Sequence, residues 1–197
     1  MPDLDVIGLG VSTLDYLSLV DHLPAEDEAL PAVETCLQGG GPVATAMVAL
    51  SRLGAKTAML DAIGDDWRGQ LIRAEFEREG VDTSGLQVRA GYSSASACIL
   101  VLRQSGARSI VFAPGSAPEL DPQELRRSLI TSARILHLNG RHWQACLQAA
   151  RIARAEKVQV SFDGGAQRFR PEMKQLVALA NICILAQDFA QKYTQET

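Results

Sequence analysis

Short apolar runs alternate with helical stretches along most of the chain. The β-rich run at residues 5–10 closes on glycine and predicts a buried strand. Residues 42–53 follow three glycines, begin with proline, are small or apolar all round and stop at Gly54, as a buried helix does. Residues 57–63 predict the next strand, and Asp66 can cap a helix with one apolar face: Trp67, Leu71, Ile72 and Phe76.

Two other regions predict antiparallel hairpins. Partly alternating apolar residues within about 14–37 can pair as a flap, and strands within about 93–113 flank a turn at residues 104–107. We expect the second hairpin to join the first and to form a small β-lid.

The second half of the chain returns to alternating strands and helices. Asp121 and Pro122 predict a helix start, followed by strands at 134–138, 158–162 and 182–185 and helices at 144–156, from 171 and after 185. Such alternation is typical of a mostly parallel sheet with helices on both faces. The predicted fold class is therefore α/β, with one domain over residues 1–197 that carries the β-lid.

Composition and charge argue against some classes of binding partner. The chain has 197 residues, 47% of them hydrophobic, which is enough to bury one full core. Its formal net charge is −4 and its basic residues are scattered, which argues against nucleic acid as a partner. No stretch approaches the roughly 20 apolar residues that span a bilayer, and residues 6–10 lack the basic flank of a signal peptide. We expect no membrane partner and a cytoplasmic location.

The cysteines and histidines carry no metal or disulfide pattern. Cys36, Cys98, Cys146 and Cys183 lie far apart without a CxxC pair, so we expect reduced, mostly buried thiols. The three histidines show no metal-ligand spacing. No structural metal is predicted.

The segment Gln38-Gly-Gly-Gly-Pro-Val-Ala-Thr45 is the most informative candidate for ligand binding. Glycines that lead directly into a helix let the backbone approach a ligand and leave free amide groups at the helix start. Such a site favours polar or anionic groups. The alternative is that the glycines only turn the chain from the lid into the helix.

Polar residues at the predicted carboxyl ends of strands are further candidates, because ligands of open α/β sheets bind there. Asp15 can accept two hydrogen bonds from a sugar diol, or it can be an exposed turn residue. Arg141 can hold an acidic substrate group, or its stem can pack on the surface, and Arg168 offers the same two alternatives. For Asp66, helix capping is favoured over metal binding.

The order of these features resembles the PfkB/ribokinase family of carbohydrate kinases. The matching segments extend through essentially the whole chain: Gly8-Leu-Gly10-Val-Ser-Thr-Leu-Asp15, Gly40-Gly41-Pro-Val-Ala-Thr45, Leu53-Gly-Ala, Ile63-Gly-Asp-Asp66, Gly80-Val-Asp-Thr83 and Gly106-Ala-Arg-Ser. The resemblance implies a ribokinase-like fold and phosphorylation of a sugar hydroxyl, with ATP as the donor and Mg²⁺ as the required ion.

The resemblance also implies roles for particular residues. In the family, the positions of Asp15, Gly40 and Gly41 bind sugar hydroxyls, and the lid closes over the acceptor. Thr45 stands where many members carry asparagine, so the hydrogen-bond pattern of the substrate is expected to differ. The Gly-Gly-Gly-Pro-x-Ala-Thr form resembles a subgroup with sulfofructose kinase-like enzymes, in which Arg141 would contact an anionic sugar.

Two departures from the family bear on activity. After the strand at 182–185, members commonly carry asparagine and glutamate that position magnesium and phosphate, whereas this chain has Ala186 and Phe189. Members also continue into an Asp-Thr-x-Gly-Ala-Gly-Asp segment that forms the anion hole and supplies the catalytic base, and these 197 residues contain none. We therefore expect an incomplete domain that keeps the sugar site, has no catalytic residue and is inactive alone.

Other functions fit parts of the pattern. A non-catalytic sugar-binding or regulatory module would keep the acceptor pocket without turning over ATP. A nicotinamide-dependent oxidoreductase would use Gly8 and Gly10, but Thr13 replaces the third glycine of that fingerprint. An exposed sheet edge or the lid would favour a homodimer.

Overall fold

The computed structural model describes residues 3–195 and contains two β-sheets. Thr197, where we expected the incomplete domain to stop, lies outside this range. In chain order the strands are β1 Leu4–Leu9, β2 Thr13–Val20, β3 Glu34–Gly40, β4 Thr57–Gly64, β5 Leu86–Arg89, β6 Ser96–Leu102, β7 Arg108–Ala113, β8 Ala133–Leu138, β9 Gln159–Gly164 and β10 Ile182–Leu185.

The main sheet has the order β10-β9-β8-β1-β4-β5, and every neighbouring pair is parallel. The helices that pack on it are α1 Pro42–Arg52, α2 Trp67–Arg78, α3 Arg127–Thr131, α4 Trp143–Ala155, α5 Lys174–Leu179 and, after the last strand, α6 Gln187–Thr194. The predicted α/β fold class with a mostly parallel sheet is thus confirmed.

Each face of the main sheet supports its own hydrophobic core. Strand residues alternate between the faces, so Val6 packs with α1 and α2, while Ile7 and Leu9 pack with α3 to α6. The first face is closely packed at Gly8, where a Cβ atom would lie 2.7 Å from Met47 Cγ on α1. This close packing fixes the start of α1 near the carboxyl end of β1.

The lid is the second sheet, with the order β3-β2-β6-β7. Its two hairpins, β2–β3 and β6–β7, are antiparallel, and the parallel pair β2–β6 joins them. The two predicted hairpins therefore form one four-stranded sheet. One edge is β7, whose six residues are all exposed. A homodimer through the lid or through the edge strand β10 stays a prediction.

Two predictions about buried side chains, on α2 and at the cysteines, were wrong. On α2, Ile72 and Phe76 are buried, but Trp67 is 56% exposed and Leu71 is 40% exposed. Trp67 and Leu71 are one turn apart on the side of α2 opposite the buried residues. The Arg68 guanidinium lies over the Trp67 ring, with Cζ 5.1 Å from the centroid. Of the cysteines, only Cys146 is buried.

The helix predicted after Asp121 is interrupted. Asp121 does cap a short 3₁₀-helix, Pro122–Glu124, but extended backbone at Leu125 separates it from α3. Strand β5 was not predicted at all, because its four residues pair only with β4 at the edge of the sheet. Within residues 3–195, no helix has the length and apolar character needed to cross a membrane.

Candidate functional site

Asp15 and the glycine turn meet at the base of the lid. Asp15 lies on β2, and its Oδ1 accepts a hydrogen bond from the Thr13 hydroxyl at 2.6 Å. The register places Thr13 opposite Gly40 on β3. A Cβ atom on Gly40 would lie 2.0 Å from Asp15 Oδ2, so only glycine leaves room for this carboxylate. Two of the predicted sugar-binding residues are therefore in direct contact.

The Asp15 carboxylate has unused capacity to accept hydrogen bonds. Burial raises its pKa, and the hydrogen bond from Thr13 only partly opposes this effect. Within residues 3–195 that hydroxyl is the one side-chain donor to the carboxylate. An ionised carboxylate has about four acceptor positions, so Asp15 can receive the two hydroxyl donors of a vicinal diol.

Gly41 directs the chain from the lid into α1. Its φ is +97°, and a Cβ atom there would lie 2.1 Å from the Val11 carbonyl oxygen. Gly41 is the N-cap residue, and no side chain caps the helix. Pro42 has no N–H, so the donors of this first turn without a partner in the helix are the backbone N–H groups of Val43 and Ala44, which can bind polar or anionic ligand groups.

Thr45 is exposed one turn into α1 and lies apart from Asp15. It lines a cavity of about 130 Å³ together with Gln38, Gly40 and Glu75, and Asp15 is not part of that lining. Gly40 thus borders both the cavity and the Asp15 carboxylate. The structure brings Asp15, Gly40 and Gly41 together but places Thr45 on the side that faces α2.

Glu75 supports the glycine turn and was missed by the sequence-based predictions. Its carboxylate accepts a hydrogen bond from the Gly39 N–H and lies 3.7 Å from the Arg78 guanidinium. No local signal marks Glu75, because Glu–Arg pairs at this spacing occur on many exposed helices. Its role depends on tertiary structure alone.

Arg141 follows β8, and its backbone is held by two hydrogen bonds. Its N–H donates to Asn139 Oδ1 at 3.3 Å, and its carbonyl accepts from the Cys146 thiol at 2.8 Å. Burial raises the pKa of that thiol to about 12, so it acts as a hydrogen-bond donor and not as a nucleophile. The Arg141 guanidinium carbon lies 5.9 Å from the centre of the Phe112 ring on the lid.

The lid register relates Arg141 to Asp15. Phe112 pairs with Ala97, and Ala97 pairs with Asp15, so these residues occupy one row on the same face of three neighbouring strands. Strands in a sheet are about 4.8 Å apart, which puts Phe112 about 10 Å from Asp15. Asp15 and the Phe112 ring beside Arg141 therefore lie on one face of the lid, two strands apart.

Asn139 is a further candidate that the sequence-based predictions missed. It is 2% exposed, and its side-chain nitrogen has no hydrogen-bond partner within residues 3–195. A Cβ atom on Gly10 would lie 3.2 Å from Asn139 Oδ1, which places this amide beside the carboxyl end of β1. A buried amide normally has partners, so this unused donor is suited to a ligand oxygen. The sequence signal that could have identified Asn139 is its position as a polar residue directly after an apolar strand.

The carboxyl end of β10 does not fit magnesium or phosphate. Phe189 is fully buried, with ring centroids 5.7 Å from Phe162 and 5.3 Å from Phe169. Neither Phe189 nor Ala186 offers a ligand atom in its side chain. Within residues 3–195, no group of three or more His, Cys, Asp and Glu side chains is placed to hold a metal ion.

The nucleotide-fingerprint alternative does not fit the local fold. Residues 11 and 12 lead from β1 directly into the lid strand β2, whereas a dinucleotide fingerprint requires a helix there. A wider surface groove of about 660 Å³ lies at the opposite end of the sheet, near Ser132 and Lys157. It contains none of the residues that surround Asp15.

Comparison with known proteins identifies the protein family of this chain. The family model for pfkB family carbohydrate kinases matches residues 1–197, and the chain belongs to this family. It is 24% identical to ketohexokinase from Mus musculus over 97% of this chain and 66% of that protein. It is 28% identical to the ATP-dependent ribose-1-phosphate kinase from Halopiger xanaduensis over 90% of this chain and 60% of that protein.

The fold comparison gives the same result. Ribokinase from Giardia lamblia superimposes with a TM-score of 0.84 at 16% identity, over 98% of this chain and 61% of that structure. The ribokinase-like fold is therefore established. The chain spans 60% to 66% of the length of the two relatives named above.

Proposed function

We propose that this chain forms the sugar-acceptor site of a PfkB-type kinase, which transfers a phosphoryl group from ATP to a sugar hydroxyl. The observation that carries the proposal is the contact between Asp15 and Gly40 beside the uncapped start of α1. Carboxylate acceptors and free backbone N–H donors together match the alternating donors and acceptors of sugar hydroxyls.

Each acceptor residue has a defined part in this proposal. Asp15 accepts hydrogen bonds from two neighbouring hydroxyls, and Gly40 and Gly41 let the backbone approach the sugar. Asn139 donates its unused N–H to a ring or hydroxyl oxygen. Thr45 provides a hydroxyl group on the α2 side, and Arg141 binds an anionic substituent if the sugar carries one.

These residues contribute orientation to the transfer. The attacking sugar oxygen forms a bond to the γ-phosphorus, the bond from that phosphorus to the ADP oxygen breaks, and the sugar hydroxyl loses its proton. ATP with Mg²⁺ supplies the phosphoryl group and stabilises its charge. We assign no step of donor binding to Ala186 or Phe189, because their side chains carry no ligand atom. Asp15 and the lid hold the acceptor and exclude water.

A second candidate function is sugar binding without phosphoryl transfer. It is favoured by the aromatic packing of Phe189 with Phe162 and Phe169, where the family resemblance predicts a carboxylate. A chain of this kind would keep Asp15 and Gly40 and would bind sugar in a regulatory or carrier role.

Calorimetric titration tests the acceptor site, and an ADP-release assay can exclude the second candidate. The chain is titrated with D-fructose, D-ribose and their phosphorylated forms, and separately with MgATP, and ADP release is measured when both are present. We expect saturable sugar binding. ADP release that depends on sugar excludes the second candidate, whereas sugar binding without ADP release is expected both for the acceptor site of a kinase without its donor side and for the second candidate. Failure of every sugar to bind contradicts both.

A substitution at Arg141 tests the anionic-sugar assignment. We expect Arg141→Gln to reduce the affinity for fructose 6-phosphate by about 10–100-fold, since a hydrogen-bonded ion pair contributes about 1.5–3 kcal/mol. D-fructose affinity should stay within about twofold. Arg151→Gln is the control, because Arg151 is exposed on α4 and loses the same charge. Equal loss for both ligands would contradict the assignment.

A further inference from the structure

Asp61 and His142 form a buried pair that lies between the residues of the acceptor site. Asp61 is on β4 and is 1% exposed, and His142 precedes α4 and is 3% exposed. His142 Nε2 lies 2.7 Å from Asp61 Oδ1. Neither residue belongs to a motif in the sequence, because they are far apart along the chain.

The surrounding hydrogen bonds define the protonation of this pair. The Leu120 N–H donates to His142 Nδ1 at 3.2 Å, so Nε2 carries the ring hydrogen and donates to Asp61. Asp61 Oδ1 also accepts from the Ala62 N–H at 2.7 Å, and Oδ2 accepts from the Ser12 N–H at 2.6 Å. Every polar atom of the pair is therefore hydrogen-bonded, which offsets the free-energy cost of burying it.

The pair joins three separate segments. Ser12 lies in the connection from β1 to the lid and is followed by Thr13, the hydroxyl donor to Asp15. Leu120 lies in the segment that leaves the lid after β7, and His142 directly follows Arg141. His142 also has a φ of 56°, a left-handed conformation that non-glycine residues seldom adopt. The strain at this residue requires support from surrounding contacts.

We propose that Asp61 and His142 are positioning residues that couple the loop before Asp15 to the loop that carries Asn139 and Arg141. This proposal rests on the sugar-binding function given above. The two loops follow the neighbouring strands β1 and β8, and sugar binding depends on their separation. The hydrogen-bonded chain from Ser12 through Asp61 and His142 to Leu120 fixes that separation before any ligand binds.

Amide hydrogen exchange on the ligand-free protein tests the coupling directly. The variant is His142→Asn, because asparagine tolerates the left-handed conformation but is too short to reproduce both imidazole contacts. We expect the Leu120 amide to exchange at least about tenfold faster, because the substitution removes the imidazole nitrogen that accepts its hydrogen bond. We also expect about tenfold faster exchange at Ser12, although Asp61, its own partner, is unchanged. Unchanged exchange at Ser12 overturns the proposal.

Two further variants control for general destabilisation. Val160→Ala removes buried volume from β9 without breaking this network and should leave the Ser12 amide protected relative to global unfolding. Asp61→Asn puts a side-chain N–H against one of the three N–H donors and should accelerate exchange at Leu120 as well as at Ser12. If Val160→Ala gives the same pattern as His142→Asn, the coupling is not specific and the proposal fails.

Titration with D-fructose tests the consequence for the site. His142→Asn should weaken D-fructose binding about tenfold at a temperature where circular dichroism shows an intact fold, and Val160→Ala should not. Unchanged affinity in His142→Asn would overturn the positioning role even if exchange increased. If the unsubstituted chain binds none of the sugars, the acceptor function fails, and the exchange data still decide whether the two loops are coupled.

Discussion

Replacing Asp15 with alanine is expected to reduce sugar affinity by at least about 100-fold while leaving the fold intact. Two hydrogen bonds from sugar hydroxyls to a carboxylate contribute about 1.5–3 kcal/mol each. The side chain contributes little to packing, because Asp15 lies on the lid and, among residues 3–195, only the Thr13 hydroxyl donates to it. Titration with D-fructose measures the loss.

Asp21→Ala provides the matched control for this substitution. Asp21 follows the other end of β2 and is exposed, so its removal changes the charge equally but leaves the site untouched. Equal affinity of the Asp15→Ala variant and the unsubstituted chain would exclude Asp15 from the sugar site.

The pH dependence of sugar binding gives an independent check. Burial raises the pKa of Asp15, so its carboxylate becomes protonated at a higher pH than an ordinary aspartate. The ionised form accepts the sugar hydroxyls, so affinity should decrease as the pH falls through that raised value. The Asp15→Ala variant should show no such decrease.

Gly41→Ala is expected to lower the free energy of unfolding by more than about 3 kcal/mol. The new Cβ would meet the Val11 carbonyl oxygen at 2.1 Å, and the φ of +97° is itself unfavourable for alanine. Relief of the clash would move either the connection between β1 and β2 or the start of α1. Urea unfolding of the purified variant measures the change.

Gly54→Ala separates the effect of the positive φ from the effect of the clash with a neighbouring atom. Gly54 also has a positive φ, of +90°, but a Cβ atom there would meet nothing within 4 Å. We expect it to cost only the backbone strain, about 1–2 kcal/mol. If both variants lost the same free energy of unfolding, the contact with the Val11 carbonyl oxygen would not be a reason why position 41 requires glycine.

The main elements of the fold were predictable because their signals are local. The helix after the glycines is bounded by Pro42 and Gly54, and the next is capped by Asp66, whose Oδ1 accepts from the Gly69 N–H at 3.0 Å. Burial opposes ionisation of Asp66, but hydrogen bonds from Ser94 and Gly69 outweigh it and lower its pKa. By contrast, the exposure of Trp67 depends on which side of α2 packs against the sheet, which the local pattern does not contain.

The acceptor site was predictable only in part. Asp15 and the glycines were found because their order along the chain carries a family resemblance. Asn139 has only a weak signal, and Glu75, Asp61 and His142 have none, because each acts through a partner distant in sequence. Such residues are defined by packing between elements, and a single sequence does not record that packing.

The central position of β1 has a consequence for synthesis of the chain. Among the strands of the main sheet β1 is made first, and β4 can pair with one of its sides soon afterwards. Its other side pairs with β8, where Leu9 lies opposite Leu138. At roughly 5–20 residues per second, a ribosome needs several seconds to reach that partner. During this interval an apolar strand edge has no native partner, so the nascent chain is most vulnerable to aggregation before β8 emerges.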